Sequence, residues 1–390
     1  MKQLLRVTAA LTAVVLVASC GKGSDDPQPA ATSPAGTSPA GSHAGHFSAP
    51  PAAPLRAGEH FQNLSMPALY TPKAPNGGTD EYRCFLIDPK LTSQAYLTGS
   101  QFLPQNADIV HHAIFFRIGP GSADAARKLD AGTPGDGWTC FGDSGVNGDT
   151  WVASWAPGAN ETLLAPNLGY PMPPGSLMVM QIHYNLLATG GKAGGADQSA
   201  IRLRLNDSTT GMTPLQTSLL PAPIELPCTA SESGPLCDRD AAIADVTKRF
   251  GADVGEQEAQ LVKLCSRGQP VAGPTQHCDQ PVRRAATVYA VAGHMHLLGR
   301  AITIELNPGT PGARLLLDVP RYNFDDQAIH PLAEPVALKA GDKLRVTCTH
   351  DATLRSQLPQ LQGTAPRYVV WGDGTSDEMC LGLVIMADGA

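Results

Sequence analysis

Leu177-Met178-Val179-Met180-Gln181-Ile182-His183-Tyr184-Asn185 is an apolar run of strand length that turns polar toward its end. Similar runs recur along the chain: Ile109–Arg117, Ile201–Leu205, Thr287–Ala292, Ala301–Leu306, Arg314–Val319, Leu344–Thr349 and Cys380–Met386. Most are rich in Val, Ile, Leu and Thr, and turn clusters such as Asn307-Pro308-Gly309 and Lys339-Ala340-Gly341-Asp342 divide them. Many short strands of this kind predict an all-β fold of sandwich or jelly-roll type. The 40 Gly and 34 Pro agree, because both weaken helix interiors and serve turns. A chain of 390 residues exceeds one ordinary core, so two domains are expected, 58–211 and 212–390, divided near Gly211 ahead of the Pro-rich Thr213–Pro227. One stretch departs from the pattern. From Asp238 to Leu264 the apolar spacing turns helical, and four cysteines flank it, which predicts a stapled helical insertion over 228–278 in the second domain.

The N-terminus reads as an address. Lys2 and Arg6 precede the apolar Val7–Val17, and Val17-Ala18-Ser19-Cys20 resembles a lipobox. The expectation is a signal peptide over 1–19, lipidation of Cys20, and a Gly/Ser/Pro/Ala-rich tether over 20–57 that cannot bury a core. The protein would then be exported and held on a bacterial membrane by a lipid anchor only, facing the periplasm or the cell exterior. Apart from Cys20, eight cysteines remain, an even number that favours disulfides in an exported chain, and none forms a Cys-x-x-Cys pair. The four around the insertion allow three pairings. A net charge of -7 argues against a nucleic-acid partner.

Candidate ligands fall into separate clusters. His111-His112 are neighbours, and adjacent side chains on a regular strand face opposite ways, so both can reach one metal only at a bulge, a bend or a strand end. Gln181 and His183 share a face by the period of two, as His294 and His296 would on a strand. Met379 stands beside Cys380, a cysteine expected in a disulfide. Taken singly, each has an ordinary structural explanation: a packed histidine, or a methionine filling core. Three imidazoles suit zinc or copper, whereas two imidazoles and a thioether favour Cu(I).

The ordered set Tyr82-Arg83-Cys84, His111-His112, Trp138-Thr139-Cys140, Gln181-Ile182-His183-Tyr184, His294-Met295-His296-Leu297-Leu298-Gly299-Arg300 and Thr375-Ser376-Asp377-Glu378-Met379-Cys380 resembles the copper type II, ascorbate-dependent monooxygenases. That family includes peptidylglycine α-hydroxylating and dopamine β-monooxygenases. The resemblance spans roughly residues 60 to 388 and implies two consecutive jelly-roll β-sandwich domains with one copper each. It implies a copper on His111, His112 and His183 that stores and passes an electron. It implies a second copper, on His294, His296 and Met379, that binds O2 and faces the substrate. It further implies disulfides Cys84–Cys140 and Cys348–Cys380. The implied reaction joins R–H, O2, two electrons and two protons to give R–OH and water, with ascorbate or another reductant as co-substrate. Gln181 becomes a candidate for the path between the coppers. A monomer is expected, with a small molecule, O2 and reductant as its partners. Where the peptide-amidating branch holds its substrate with Arg, Asn and Tyr, this chain has Ala292, Leu381 and Leu383, which argues against a peptide C-terminus as substrate. Two other readings compete: a non-catalytic copper storage or delivery lipoprotein, and a zinc hydrolase, which would gain nothing from Met379.

Overall fold

The computed structural model describes residues 50–389 except Gly158. Residues 1–49, with the signal-peptide, lipidation and most of the tether expectations, lie outside the described residues. The His183 run forms a strand over the span read from sequence, Leu177–Asn185. It pairs antiparallel with Asp80–Ile87 on one side and Val110–Ile118 on the other. Trp138–Thr139 and Asp149–Trp155 extend the sheet to five strands. Facing it is a six-stranded sheet built on Glu59–Ser65, Ala200–Asn206, Ala95–Leu103 and Leu168–Met172. Phe85, Met178, Met180 and Ile182 from the first sheet and Leu97, Ile201 and Leu203 from the second share one buried cluster.

The same arrangement recurs later in the chain. Gln216–Pro221, Leu381–Asp388, Ala286–His294 and His330–Leu338 form one four-stranded sheet, in that spatial order. Thr275–Pro281, Lys343–His350, Gly299–Leu306 and Arg314–Val319 form the other. Val288, Val291, Ile302, Ile304 and Val346 pack between them. All eight apolar runs read from the sequence lie within strands or overlap them closely. The fold is predominantly β, and the described residues belong to one compact unit, Gly45–Ala390. Thr213–Pro214 still pairs with Leu168–Gly169, and the next strand, Gln216–Pro221, already belongs to the later set of sheets.

The helical stretch is two helices, Arg239–Phe250 and Ala252–Ser266. They break at Gly251, whose φ of 104° suits a residue without a Cβ. Asp238 caps the first, its side chain accepting the Ala241 N–H at 2.9 Å. Val246, Phe250 and Leu261 face the core. The cysteines pair as Cys228–Cys237 and Cys265–Cys278, one bridge at each end, while Cys84–Cys140 and Cys348–Cys380 staple the sheets. Four disulfides fit an oxidising, exported environment. No helix among the described residues is long and apolar enough to cross a membrane.

Candidate metal centre

His111 and His112 reach one point because the strand that carries them is irregular there. Val110 pairs with Tyr184 and His112 with His183, so the register shifts between them and leaves His111 as an extra residue. The bulge turns both rings the same way. His112 Nδ1 lies 3.1 Å from His111 Nδ1 and 3.3 Å from His183 Nδ1, and the ligating atoms of the three all fall within 4.8 Å of one another. A neutral ring nitrogen either carries a proton or offers a lone pair. His112 Nδ1 therefore cannot satisfy both neighbours, and a cation among the three removes the conflict.

The orientation of His183 comes from Asp80, two residues before Tyr82 on the neighbouring strand. His183 Nε2–H donates to Asp80 Oδ1 at 2.9 Å, which leaves Nδ1 with its lone pair toward His112. The Tyr82 ring stacks on His183, centroids 4.1 Å apart and planes 8° from parallel. Burial pushes the Asp80 carboxyl up, but its bonds from His183 and Thr375 prevail and hold its pKa at about 2. Burial, and then the neighbouring imidazoles, push His111 and His112 well below the usual range, so their lone pairs stay free of protons near neutrality.

The second group is built differently. His294 ends its strand, opposite Leu381 on the neighbouring strand. His296 lies beyond it in a turn, so the pair is not held by strand alternation as its spacing suggests. Side chains hold the turn instead. The Tyr322 hydroxyl accepts the Met295 N–H at 2.9 Å and donates to the Met295 carbonyl at 2.5 Å. Buried Glu378 accepts the N–H of His296 at 2.9 Å and of Leu298 at 2.6 Å. The turn closes at Gly299, where a Cβ would lie 2.9 Å from both Met295 and the Tyr322 ring. His294 Nδ1–H donates to Gln327 Oε1 at 2.5 Å, and His296 Nδ1–H to the Asp377 carbonyl at 3.2 Å. Both Nε2 atoms thus keep lone pairs, and that of His296 is buried with no hydrogen-bond partner. Burial, reinforced by His296, holds His294 down at about 3. Burial also lowers His296.

The two groups are neighbours, with the His112 and His294 rings 5.7 Å apart between centroids. Phe324 stacks on His111 at 4.1 Å and meets His296 edge-on at 6.1 Å. His112, Gln181, His294 and Met379 open onto one cavity of about 320 Å³. Gln181 donates to the Asp143 carbonyl at 2.8 Å, and its Oε1 is without a partner. Ala292, Leu381 and Leu383 all line the cavity, and its lining holds Asp143 and Asp373 but neither Lys nor Arg. Asp80, Glu378, Gln327, Tyr322 and Phe324 were not singled out in the sequence as supports of these histidines. Asp80 and Glu378 sit within or beside quoted motifs, whereas residues 322–327 carry no local signal.

Orphaned ring nitrogens, neutral imidazoles and a methionine lining the same cavity as His112 and His294 are features that a borderline-to-soft metal ion would use. Residues 271–387 match the C-terminal domain of the copper type II, ascorbate-dependent monooxygenases. MOXD1 homolog 1 of Drosophila melanogaster is 24% identical over 340 residues, covering 77% of this chain and 39% of its own length, so the chain spans about two fifths of that relative. Over residues 271–387 the chain is thus similar to a family of copper- and ascorbate-dependent oxidoreductases. Among solved structures, the major capsid protein P2 of bacteriophage PM2 is similar at a TM-score of 0.31 and 11% identity, covering 85% of this chain and 98% of that one. A Paenibacillus xanthan lyase reaches 0.19 at 11% identity, covering 84% of this chain and 25% of that one. Likenesses at these scores say nothing about function.

Proposed function

We propose that the protein is a copper-dependent monooxygenase that hydroxylates a C–H bond of a small organic substrate, using O2 and an external one-electron reductant such as ascorbate. In this reading residues 58–211 and 212–390 are consecutive jelly-roll domains, the helical pair is an insertion in the second, and Cys20 carries a lipid anchor. His111, His112 and His183 hold one copper; His294, His296 and Met379 hold the other. What copper supplies at these positions is one-electron storage and dioxygen activation.

The protein's own share is positioning and exclusion. Asp80 fixes which nitrogen of His183 is free, and Gln327 and the Asp377 carbonyl do the same for His294 and His296. The apolar wall of Ala292, Leu381 and Leu383 keeps water from the C–H bond. With carboxylates and no cationic side chain in the lining, an anionic substrate head is disfavoured. The observation that carries this reading is the unpartnered Nε2 of buried His296, beside a methionine-lined cavity that both histidine groups share.

Copper content and electron spin resonance on the purified protein, followed by ascorbate-dependent oxygen uptake, test it. Two distinct copper environments and reductant-dependent uptake are expected. Copper binding with no such uptake would leave only the storage or delivery reading standing.

A further inference from the structure

The short segment from Asp373 to Met379 touches both histidine groups, and the contacts at its two ends differ in kind. At one end the Thr375 hydroxyl donates to Asp80 Oδ1 at 2.5 Å, and the Thr375 N–H reaches the same oxygen at 3.2 Å. That oxygen is the one His183 Nε2–H uses, at 2.9 Å. Thr375 and Asp80 are 1% and 3% exposed, so water does not compete for these bonds. The Tyr82 hydroxyl donates to the Asp373 carbonyl at 2.7 Å while its ring stacks on His183. At the other end the Asp377 carbonyl takes the His296 ring proton, and Glu378 grips the backbone of the His296 turn. The segment is anchored from outside by Arg249, which forms a two-pronged ion pair with Asp377 at 2.6 Å for each arm.

We propose that Thr375 is a positioning residue for the three-histidine group, and that the segment it belongs to couples metal loading at the two groups. A carboxylate that accepts one histidine proton can rock about its Cβ–Cγ bond. Two further donors on the same oxygen, with the Thr79 hydroxyl donating to Oδ2 at 3.0 Å, remove that freedom and fix the direction of the His183 Nδ1 lone pair. Thr375 lies in the segment that bears Asp377, Glu378 and Met379. Ordering that segment by loading His294 and His296 therefore stiffens the Asp80–His183 pair, and linkage requires the converse. This coupling rests on the proposed copper binding at both groups, but not on any oxygen chemistry.

The test compares wild type with Thr375→Val, which keeps the shape and removes the hydroxyl, and Thr375→Ser, which restores it. A metal-free readout comes first: exchange of the His183 Nε2–H with solvent, by NMR on ¹⁵N-histidine-labelled protein. Thr375→Val should speed it severalfold and Thr375→Ser should return it to the wild-type rate. Cu(II) titration followed by spin resonance should then show about tenfold weaker binding at the three-histidine group in Thr375→Val, within the 10–100-fold that such outer partners cost. In wild type, His294→Ala should weaken the three-histidine group at least about fivefold; in the Thr375→Val background it should have no such effect. Unchanged exchange in Thr375→Val, with an unchanged melting curve, overturns the positioning role. A three-histidine affinity indifferent to His294→Ala overturns the coupling alone. Absence of copper binding in wild type refutes the functional proposal and the coupling with it, while the exchange measurement still decides the role of Thr375.

Discussion

The two histidine groups reach similar chemistry by opposite construction. The three-histidine group is part of a sheet: His183 and His112 are cross-strand partners, and one bulge supplies His111. The His294–His296 group leaves its sheet after the first ligand and depends on side chains of Tyr322, Gln327 and Glu378 from two separate places in the chain. A backbone ladder tolerates little motion, whereas a turn held by side chains can shift with what it binds. The difference sets a rigid group beside an adaptable one, both opening onto the same cavity.

The largest test of that contrast is Met379→Ile. It should abolish ascorbate-dependent oxygen uptake while leaving the three-histidine spin-resonance signal near its wild-type form, and equal loss of both signals would erase the distinction. Next, His183→Ala should retain copper at His294 and His296 but cut steady-state turnover by more than about 100-fold, the upper end of what the outer partners alone cost. Undiminished turnover would remove the electron-storage role. Glu378→Gln is the sharper probe of the turn. Losing a charged acceptor of two backbone N–H bonds should cost about 2 kcal/mol in urea unfolding. It should also weaken copper about tenfold at His294 and His296, with a smaller loss at the three-histidine group.

The smallest effect concerns acid and separates two windows. His294 is neutral in the fold down to about pH 3, and burial lowers His111, His112 and His296 too. The unfolded chain protonates its histidines from about pH 6.5 downward, so the metal-free protein should lose stability as pH falls below that value. Asp80 adds a second, later loss. Its pKa of about 2 in the fold means its contribution is full above about pH 4 and disappears as pH falls through 2. Urea titrations from pH 7 to 3 should show the first decline in wild type, and Asp80→Asn should flatten only the part below pH 4.

Much of this was legible in the residues. The His183 run and its seven counterparts are strands because alternation, β-branching and turn residues are local properties, fixed within a few positions. That His111 and His112 could meet only at a bulge, a bend or a strand end followed from strand geometry alone, and the register shift supplies the bulge. The His-x-His spacing was misleading about cause: it suggested one strand face, but the strand stops at His294 and the turn is held from outside. Gly299 marks that turn, though only the close approach of Met295 and the Tyr322 ring explains why a glycine is needed. Asp80 and Thr375 stand 295 positions apart, and nothing near either residue in the sequence announces the other.

Ligand types, the even set of eight cysteines and the apolar wall residues were fixed by the sequence itself, because each is a matter of chemical identity at a position. Tertiary structure alone decided which cysteines pair around the helices, which ring nitrogen of each histidine is free, and that the His112 and His294 rings lie 5.7 Å apart. The physical reason is range. Periodicity and turn preference act between neighbours along the chain, whereas a proton's place on an imidazole and the meeting of two histidine groups depend on groups that only the packing of four sheets brings together.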